Sequence, residues 1–207
     1  MSDTDKKEVN SILNCCRNGN ADYLRILLNS MNINELEQNY FYDNTAMYIA
    51  IDHGYENIVR LLIKYGFDIN QLDFNNFSPL HRAIYTRTKQ NLSIIQQLLT
   101  AGANANLKGE NDATLLHYTC WNGYYEVCKL LIRAGAMVNA KDYFGYTPIH
   151  MAIAKRNKDI ARLLINAGAD VNVTDQIGSS LLHQAIETKN IEIFKMILSA
   201  GKTSLCY

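Results

Sequence analysis

The sequence repeats itself with a period close to 33 residues, and this repeat constrains the fold more than any other feature. One position in each segment, which we call the marker position, holds histidine or tyrosine: Tyr48, His81, His117, His150 and His183. These residues are separated by 33, 36, 33 and 33 positions. A glycine series shows the spacings 36, 33, 33 and 33: Gly66, Gly102, Gly135, Gly168 and Gly201. Both series place a three-residue insertion in the same segment, which argues for stacked copies of one structural unit.

Each unit predicts two short helices followed by an extended connection. In the segment around His150, Thr147 and Pro148 are typical of a helix start, as the N-cap and the first helical residue. Ile160, Leu163 and Leu164 then follow the i, i+3, i+4 spacing of one helix face. The glycine of the series, which is Gly168 in this unit, is expected to end this second helix. A single helix pair cannot bury such a face, whereas stacked pairs can. The sequence therefore predicts an all-α repeat protein, a solenoid whose contacts run mostly between neighbouring units.

The segments SPLHRAI (78–84) and TPIHMAI (147–153) resemble the Thr-Pro-Leu-His-x-Ala pattern of ankyrin repeats. The chain is similar to ankyrin-repeat proteins over nearly its whole length. The resemblance implies an ankyrin solenoid of paired antiparallel helices with β-hairpin-like loops, forming a single domain, 1–207. Six repeats are expected: 6–41 (degenerate), 42–73, 74–109 (with the insertion), 110–142, 143–175 and 176–207.

Three repeats depart from the family pattern between their two helices. The expected glycine stands at Gly54 and Gly123 but is replaced by Arg87, Arg156 and Lys189. Asparagines follow two of these replacements, and asparagine tolerates the left-handed backbone conformation better than most residues. The insertion falls within 85–91, which predicts a longer inter-helix loop there.

The balance of charge argues against two classes of partner. Twenty basic residues match twenty acidic ones, so the chain lacks the electrostatic footprint of a protein that binds nucleic acid or anionic membranes. Apolar runs are too short for a membrane span, and the charged start lacks the apolar core of a secretory signal. We expect a soluble monomer in the cytoplasm, with the nucleus as a second location.

Candidate metal and catalytic residues are better interpreted as structural. The resemblance implies that the marker histidines tie their helices to a neighbouring loop. Equivalent residues in stacked units lie about 10 Å apart, too far to share a zinc ion at about 2 Å from each ligand. Cys120 follows His117 by three residues but occupies a core position, and a buried thiol is inert. We expect no enzyme activity, metal, cofactor or small-molecule substrate.

The variable positions of the repeat predict a binding surface. In ankyrin proteins the concave face is formed by the hairpin tips and the exposed part of the first helix. Six such positions in each of the five regular repeats make thirty. Nine of them are aromatic, whereas a chain with 10% aromatic residues would supply about three. The predicted partner-binding residues are Phe74, Phe77, Tyr85, Trp121, Tyr143, Phe144 and Tyr146. The alternative is that some of these rings brace the hairpins against one another.

These observations favour a non-catalytic protein–protein interaction module that acts as an adaptor or scaffold. Two alternatives within the family are an IκB-like inhibitor of a transcription factor and the substrate-recognition part of a ubiquitin-ligase receptor. For the latter, no F-box or SOCS-box segment is recognised after residue 201.

Asn70 and Asn172 resemble the asparagines that are hydroxylated in ankyrin repeats of animals. Each has a leucine eight residues earlier and an aspartate two residues earlier. The alternative interpretation is that both simply follow the hairpin consensus.

Overall fold

The structure is a computed structural model that describes residues 3–30, 45–86 and 91–203. The chain divides into two compact units, Met1–Asn104 and Ala105–Tyr207. Arg87 and the greater part of the predicted insertion loop lie outside the described residues.

Helix pairs build the first unit in two layers. Its helices are α1 (Asp3–Asn18), α2 (Ala21–Ser30), α3 (Thr45–Asp52), α4 (Glu56–Lys64), α5 (Pro79–Tyr85) and α6 (Asn91–Thr100). The first helix of each pair packs on the first helix of the next, in the order α1, α3, α5. The second helices, α2, α4 and α6, pack on one another in the same order. This confirms the prediction of stacked helix pairs within this unit.

The second unit repeats this architecture. Its helices are α7 (Leu115–Asn122), α8 (Tyr125–Arg133), α9 (Pro148–Ala154), α10 (Lys158–Asn166), α11 (Leu181–Glu187) and α12 (Ile191–Thr203). The first helices contact in the order α7, α9, α11 and the second helices in the order α8, α10, α12. Isolated antiparallel bridges, Lys108 with Thr114 and Thr174 with Ser180, close two of the connecting loops into hairpin-like turns.

Apolar residues at helical spacing form the core of each unit. In α10, Ile160 and Leu164 are 2% and 0% exposed, and in α9 Ile149 and Ile153 are fully buried. Complete burial of one such side chain contributes roughly 1.5–3 kcal/mol. The stacking of neighbouring pairs is therefore the main source of stability.

The marker histidines cap the helices that contain them. Each Nδ1 accepts a hydrogen bond from the backbone N–H of the hydroxyl residue three positions earlier. The distances are 3.3 Å for Ser78–His81, 3.1 Å for Thr114–His117, 3.0 Å for Thr147–His150 and 3.2 Å for Ser180–His183. With Nδ1 accepting, the proton of the neutral ring lies on Nε2.

At two repeats the far end of the marker side chain connects one repeat to the next. Nε2 of His117 donates to the carbonyl of Tyr146, 3.0 Å away. Tyr48 stands in place of histidine in its repeat, and its hydroxyl donates to the corresponding carbonyl of Phe77 at 2.7 Å. In these two repeats the marker side chain ties its helix to the following hairpin, as the family resemblance implies. The Nε2 atoms of His81 and His150 are buried without a hydrogen-bond partner in the described part of the chain.

Four second helices end as the glycine pattern predicts. Gly66, Gly102, Gly135 and Gly168 have φ between 80° and 96°. The N–H of the next residue then reaches back to a carbonyl five positions earlier, as Phe67 does to Leu62 at 3.1 Å and Ala136 to Leu131 at 2.9 Å.

The prediction that Gly201 also ends its helix is wrong, because α12 continues to Thr203. In the four regular cases an apolar residue follows the glycine, and Phe67, Ala103 and Ala136 at this position are buried. Lys202 stands in that place after Gly201. The apolar residue that follows the glycine in the other four repeats is thus missing from the sequence here.

Between the two helices of a pair, the residue that stands in place of the glycine itself adopts the left-handed conformation. Arg156 has φ 57° and Lys189 has φ 54°, close to the 70° and 76° of Gly54 and Gly123. Asn157, which follows Arg156, has φ −81° and begins α10. Its side-chain amide donates to the carbonyl of Cys120 at 3.1 Å. The asparagine is therefore a link between repeats and does not take over the left-handed conformation.

Replacing Arg156 by glycine is expected to stabilise the protein by about 1 kcal/mol, since glycine adopts the left-handed region without the steric cost of a Cβ atom. Urea unfolding measures the change. The matched control is Arg162→Gly, at an exposed position inside α10, which should cost about 1 kcal/mol. A loss of stability in Arg156→Gly would show that its backbone is not strained.

Acidification from pH 7 to pH 5 is expected to lower the melting temperature. Burial lowers the pKa of His81 and of His150 to about 4, whereas an unfolded chain has a histidine pKa of about 6.5. Between these values the unfolded state binds more protons, so the stability present above pH 6.5 is lost as the pH falls toward 4.

Thermal melts at several pH values test this linkage. His150→Gln should reduce the slope of melting temperature against pH, although it also removes a helix cap. His53→Gln, at an exposed histidine, should leave the slope unchanged. Equal stability of the parent protein at pH 7 and pH 5 would contradict the prediction.

Candidate protein-binding face

The hairpin tips of the second unit are joined by hydrogen bonds. The N–H of Tyr143 donates to the carbonyl of Asn111 at 2.8 Å, and the N–H of Gln176 donates to the carbonyl of Phe144 at 3.2 Å. The side-chain amide of Gln176 also donates to the carbonyl of Tyr143. Three successive hairpins therefore form a continuous ledge, and the residues at their tips are held in place before any partner arrives.

An aspartate shapes two of these tips from within. Asp142 accepts hydrogen bonds from the N–H groups of Phe144 and Tyr146 at 2.9 and 2.8 Å. Asp175 binds the N–H groups two and four residues later in the same way. Sequence reasoning missed this role. The sequence signal is an aspartate followed three positions later by a glycine, here Gly145 and Gly178. Both glycines have positive φ.

Three of the predicted binding residues are exposed on the second unit. Trp121 at the end of α7 is 45% exposed, and Tyr143 and Phe144 on the ledge are 64% and 47% exposed. The rings of Tyr143 and Phe144 meet edge to face with their centroids 5.3 Å apart. These three residues, which we call the aromatic ledge, are available to a partner.

Tyr146 has a different environment from the aromatic ledge. It is half-buried, its ring packs against that of His150 at 5.4 Å, and its carbonyl accepts the hydrogen bond from His117. The structure thus gives Tyr146 the bracing role that the sequence left open.

The first unit shows the same division between exposed and bracing rings. Phe74 is 95% exposed at its hairpin tip. Phe77 and Tyr85 are half-buried and surround the ring of His81, with centroids 5.7 and 5.9 Å from it. Of the seven predicted residues, Phe77, Tyr85 and Tyr146 therefore stabilise the fold through ring contacts, and the other four are exposed.

An exposed aliphatic side chain at a hairpin tip of the second unit was not among the predicted residues. Ile177 at the tip of the next hairpin is 88% exposed, two residues after the aspartate that shapes that tip. Its position is variable in the repeat, but the aromatic count did not include aliphatic side chains.

Lys155 places its ammonium group over one ring of the aromatic ledge. Its Nζ lies 3.9 Å from the centroid of the Trp121 ring. Such a cation–π contact is worth about 0.5–1 kcal/mol at an exposed site. It fixes a positive charge beside the largest apolar side chain of the face.

The asparagines of the hairpins bridge neighbouring repeats. Asn70 donates to the carbonyl of Gly102 at 3.5 Å and accepts from the N–H of Asn104 at 2.8 Å. Asn139 makes the equivalent pair with Gly168 and Asp170, at 3.1 and 2.8 Å. The side chain of Asn172 faces Gly201, in the corresponding place. These contacts give the hairpin asparagines a structural role, and hydroxylation of Asn70 and Asn172 stays a prediction.

Cys120 and Cys128 form a buried thiol pair. Both side chains are fully buried and their sulfur atoms lie 3.8 Å apart. The thiol of Cys128 also donates to Oγ1 of Thr119 at 3.2 Å. Burial raises the pKa of Cys120 well above its usual value. This confirms that Cys120 is a core residue.

No helix in the described part of the chain has the length and apolar character needed to cross a bilayer.

Several curated proteins are similar to parts of this chain. Ankyrin repeat protein FPV222 of fowlpox virus is 28% identical over 151 residues, 58% of this chain and 20% of the relative. The mouse B-cell lymphoma 3 protein homolog is 30% identical over 111 residues, 52% of this chain and 24% of the relative. Mouse ankyrin repeat and SOCS box protein 6 is 37% identical over 75 residues, 35% and 18% of the two chains. The chain thus spans a quarter or less of the length of these relatives.

The family comparison covers almost the whole sequence. A model of ankyrin repeats matches three times, over residues 2–73, 80–175 and 116–205. Together with the capping histidines, the hairpin-like connections and the stacked helix pairs, this match shows that the chain belongs to the ankyrin-repeat family.

Proposed function

We propose that this chain is a non-catalytic adaptor that captures a protein partner through the aromatic ledge, Trp121, Tyr143 and Phe144. Ankyrin repeats are generally protein-interaction modules, which supports this class of function. The observation that carries the proposal is the exposure of Trp121 at the end of α7 and of Tyr143 and Phe144 on hairpin tips whose backbone is already fixed by hydrogen bonds.

The residue types suit a binding hot spot. Tryptophan and tyrosine dominate the residues whose truncation weakens protein complexes most. Their few rotatable bonds limit the entropy lost when a partner orders them. Hydrogen bonds between successive hairpins reduce the backbone ordering cost further, since Tyr143 is already tied to Asn111.

The side chains best suited to acid–base or nucleophilic catalysis are buried or hydrogen-bonded within the fold. The ring of His117 caps α7 and donates to the carbonyl of Tyr146, and its pKa is lowered chiefly by burial. The nearby thiols of Cys120 and Cys128 are buried. These engagements support an interaction role over a catalytic one.

A second candidate is the substrate-recognition part of a ubiquitin-ligase receptor. The likeness to a mouse protein named for its ankyrin repeats and SOCS box supports this candidate. The two roles differ in the fate of the partner. A partner that disappears faster in cells that express the chain would indicate the ligase role, whereas an unchanged level would indicate the adaptor.

Trp121→Ala and Tyr143→Ala are each expected to weaken capture of the partner by about thirtyfold, since truncation of a central anchor costs on the order of 2 kcal/mol. The partner is identified by affinity purification with mass spectrometry, and its affinity is then measured by titration. Because both side chains are substantially exposed, their melting temperatures should stay within a few degrees of the parent.

Two control variants separate binding from folding. Tyr125→Ala removes an exposed ring on α8, away from the ledge, and should leave the affinity unchanged. Tyr146→Ala should lower the melting temperature, because its ring packs on His150. Normal binding by both ledge variants would show that the partner uses another surface.

A further inference from the structure

The cation held over Trp121 restricts the chemistry of any partner that covers this ring. Lys155 Nζ lies 3.9 Å from the ring centroid. Lys155 is exposed, and no carboxylate in the described part of the chain lies within ion-pair distance of its ammonium. A partner seated on Trp121 therefore also displaces water from this ammonium.

Burying an unpaired ammonium is costly unless an anion and hydrogen-bond acceptors replace the lost water. Three aspartates of the neighbouring hairpins already have partners of their own. Asp142 and Asp175 each accept two backbone hydrogen bonds within their own hairpins, and Asp112 lies 3.5 Å from Lys108. A carboxylate on the partner would supply the anion that Lys155 lacks in this structure.

A second cation lies on the same run of chain. Lys141 is exposed two residues before Tyr143, and within the described residues no carboxylate pairs with it. The local surface thus combines apolar rings with positive charges, although the chain as a whole is neutral.

We infer that the aromatic ledge recognises an acidic peptide segment, in which an apolar side chain packs on Trp121 and a neighbouring aspartate or glutamate pairs with Lys155. This inference rests on the proposed function, because it names the kind of protein segment that the ledge binds. The apolar contact supplies most of the affinity, and the ion pair sets the preference for acidic sequences.

Selection from a library of phage-displayed random peptides tests the inference, with the full chain as bait. Peptides that compete for the ledge should be enriched in aspartate and glutamate next to an aromatic or aliphatic residue, relative to the unselected library. One such peptide is then synthesised and titrated against the parent chain and four variants: Lys155→Gln, Lys155→Arg, Lys195→Gln and Trp121→Ala.

The charge of Lys155 should matter in a graded way. Lys155→Gln should weaken binding about tenfold, and Lys155→Arg, which keeps the charge, should retain most of the affinity. Lys195→Gln changes an exposed lysine on α12 and should have no effect. Added salt should weaken binding to the parent more than binding to Lys155→Gln, because salt screens the exposed ion pair.

The outcomes separate this inference from the proposed function. Peptides that need Trp121 but show no acidic enrichment, or that bind Lys155→Gln as tightly as the parent, would overturn the acidic partner and leave the binding ledge intact. A library that yields no binder, or only binders that ignore Trp121, counts against the ledge itself and so against both proposals.

Discussion

The hydrogen bonds of the buried His117 side chain connect the local and the tertiary structure of the second unit. Nδ1 of His117 accepts a hydrogen bond from the N–H of Thr114 at the start of α7. Nε2 of the same ring donates to the carbonyl of Tyr146 in the next hairpin. A single neutral imidazole therefore fixes a helix start and the position of a neighbouring loop. Since that loop carries the exposed rings, the binding ledge inherits its geometry from the core.

Tyrosine takes the place of histidine at one marker position and keeps the hydrogen bond to the following hairpin. Tyr48 lacks an acceptor nitrogen, but its hydroxyl still donates to the carbonyl of Phe77. The link to the following hairpin is preserved by an equivalent donor.

Much of the fold follows from the sequence, because period, caps and helical spacing are local signals. Thr147, Pro148 and Gly168 mark helix ends that the structure confirms. Gly201 does not end its helix, which continues to Thr203. Arg156 adopts the left-handed conformation although its side chain does not favour it, because the stacked helices on either side dictate the path of the loop.

The candidate site was less predictable because exposure depends on contacts between repeats. Tyr143 and Tyr146 are three residues apart and chemically identical. One lies on the ledge, whereas the other packs on His150. The cation over Trp121 was likewise not predicted, because Lys155 belongs to the following repeat and reaches the ring only when the two pairs stack.

The buried thiol pair has a consequence for redesign of this protein toward a repeat consensus. In the next repeat the positions of Cys120 and Cys128 hold Ile153 and Ala161, so one large and one small side chain occupy the space that two medium ones fill here. Exchanging only Cys120 for isoleucine would overcrowd a core that has no spare volume, and exchanging only Cys128 for alanine would leave a void. The two sites are therefore epistatic, and a consensus variant has to change both in a single step.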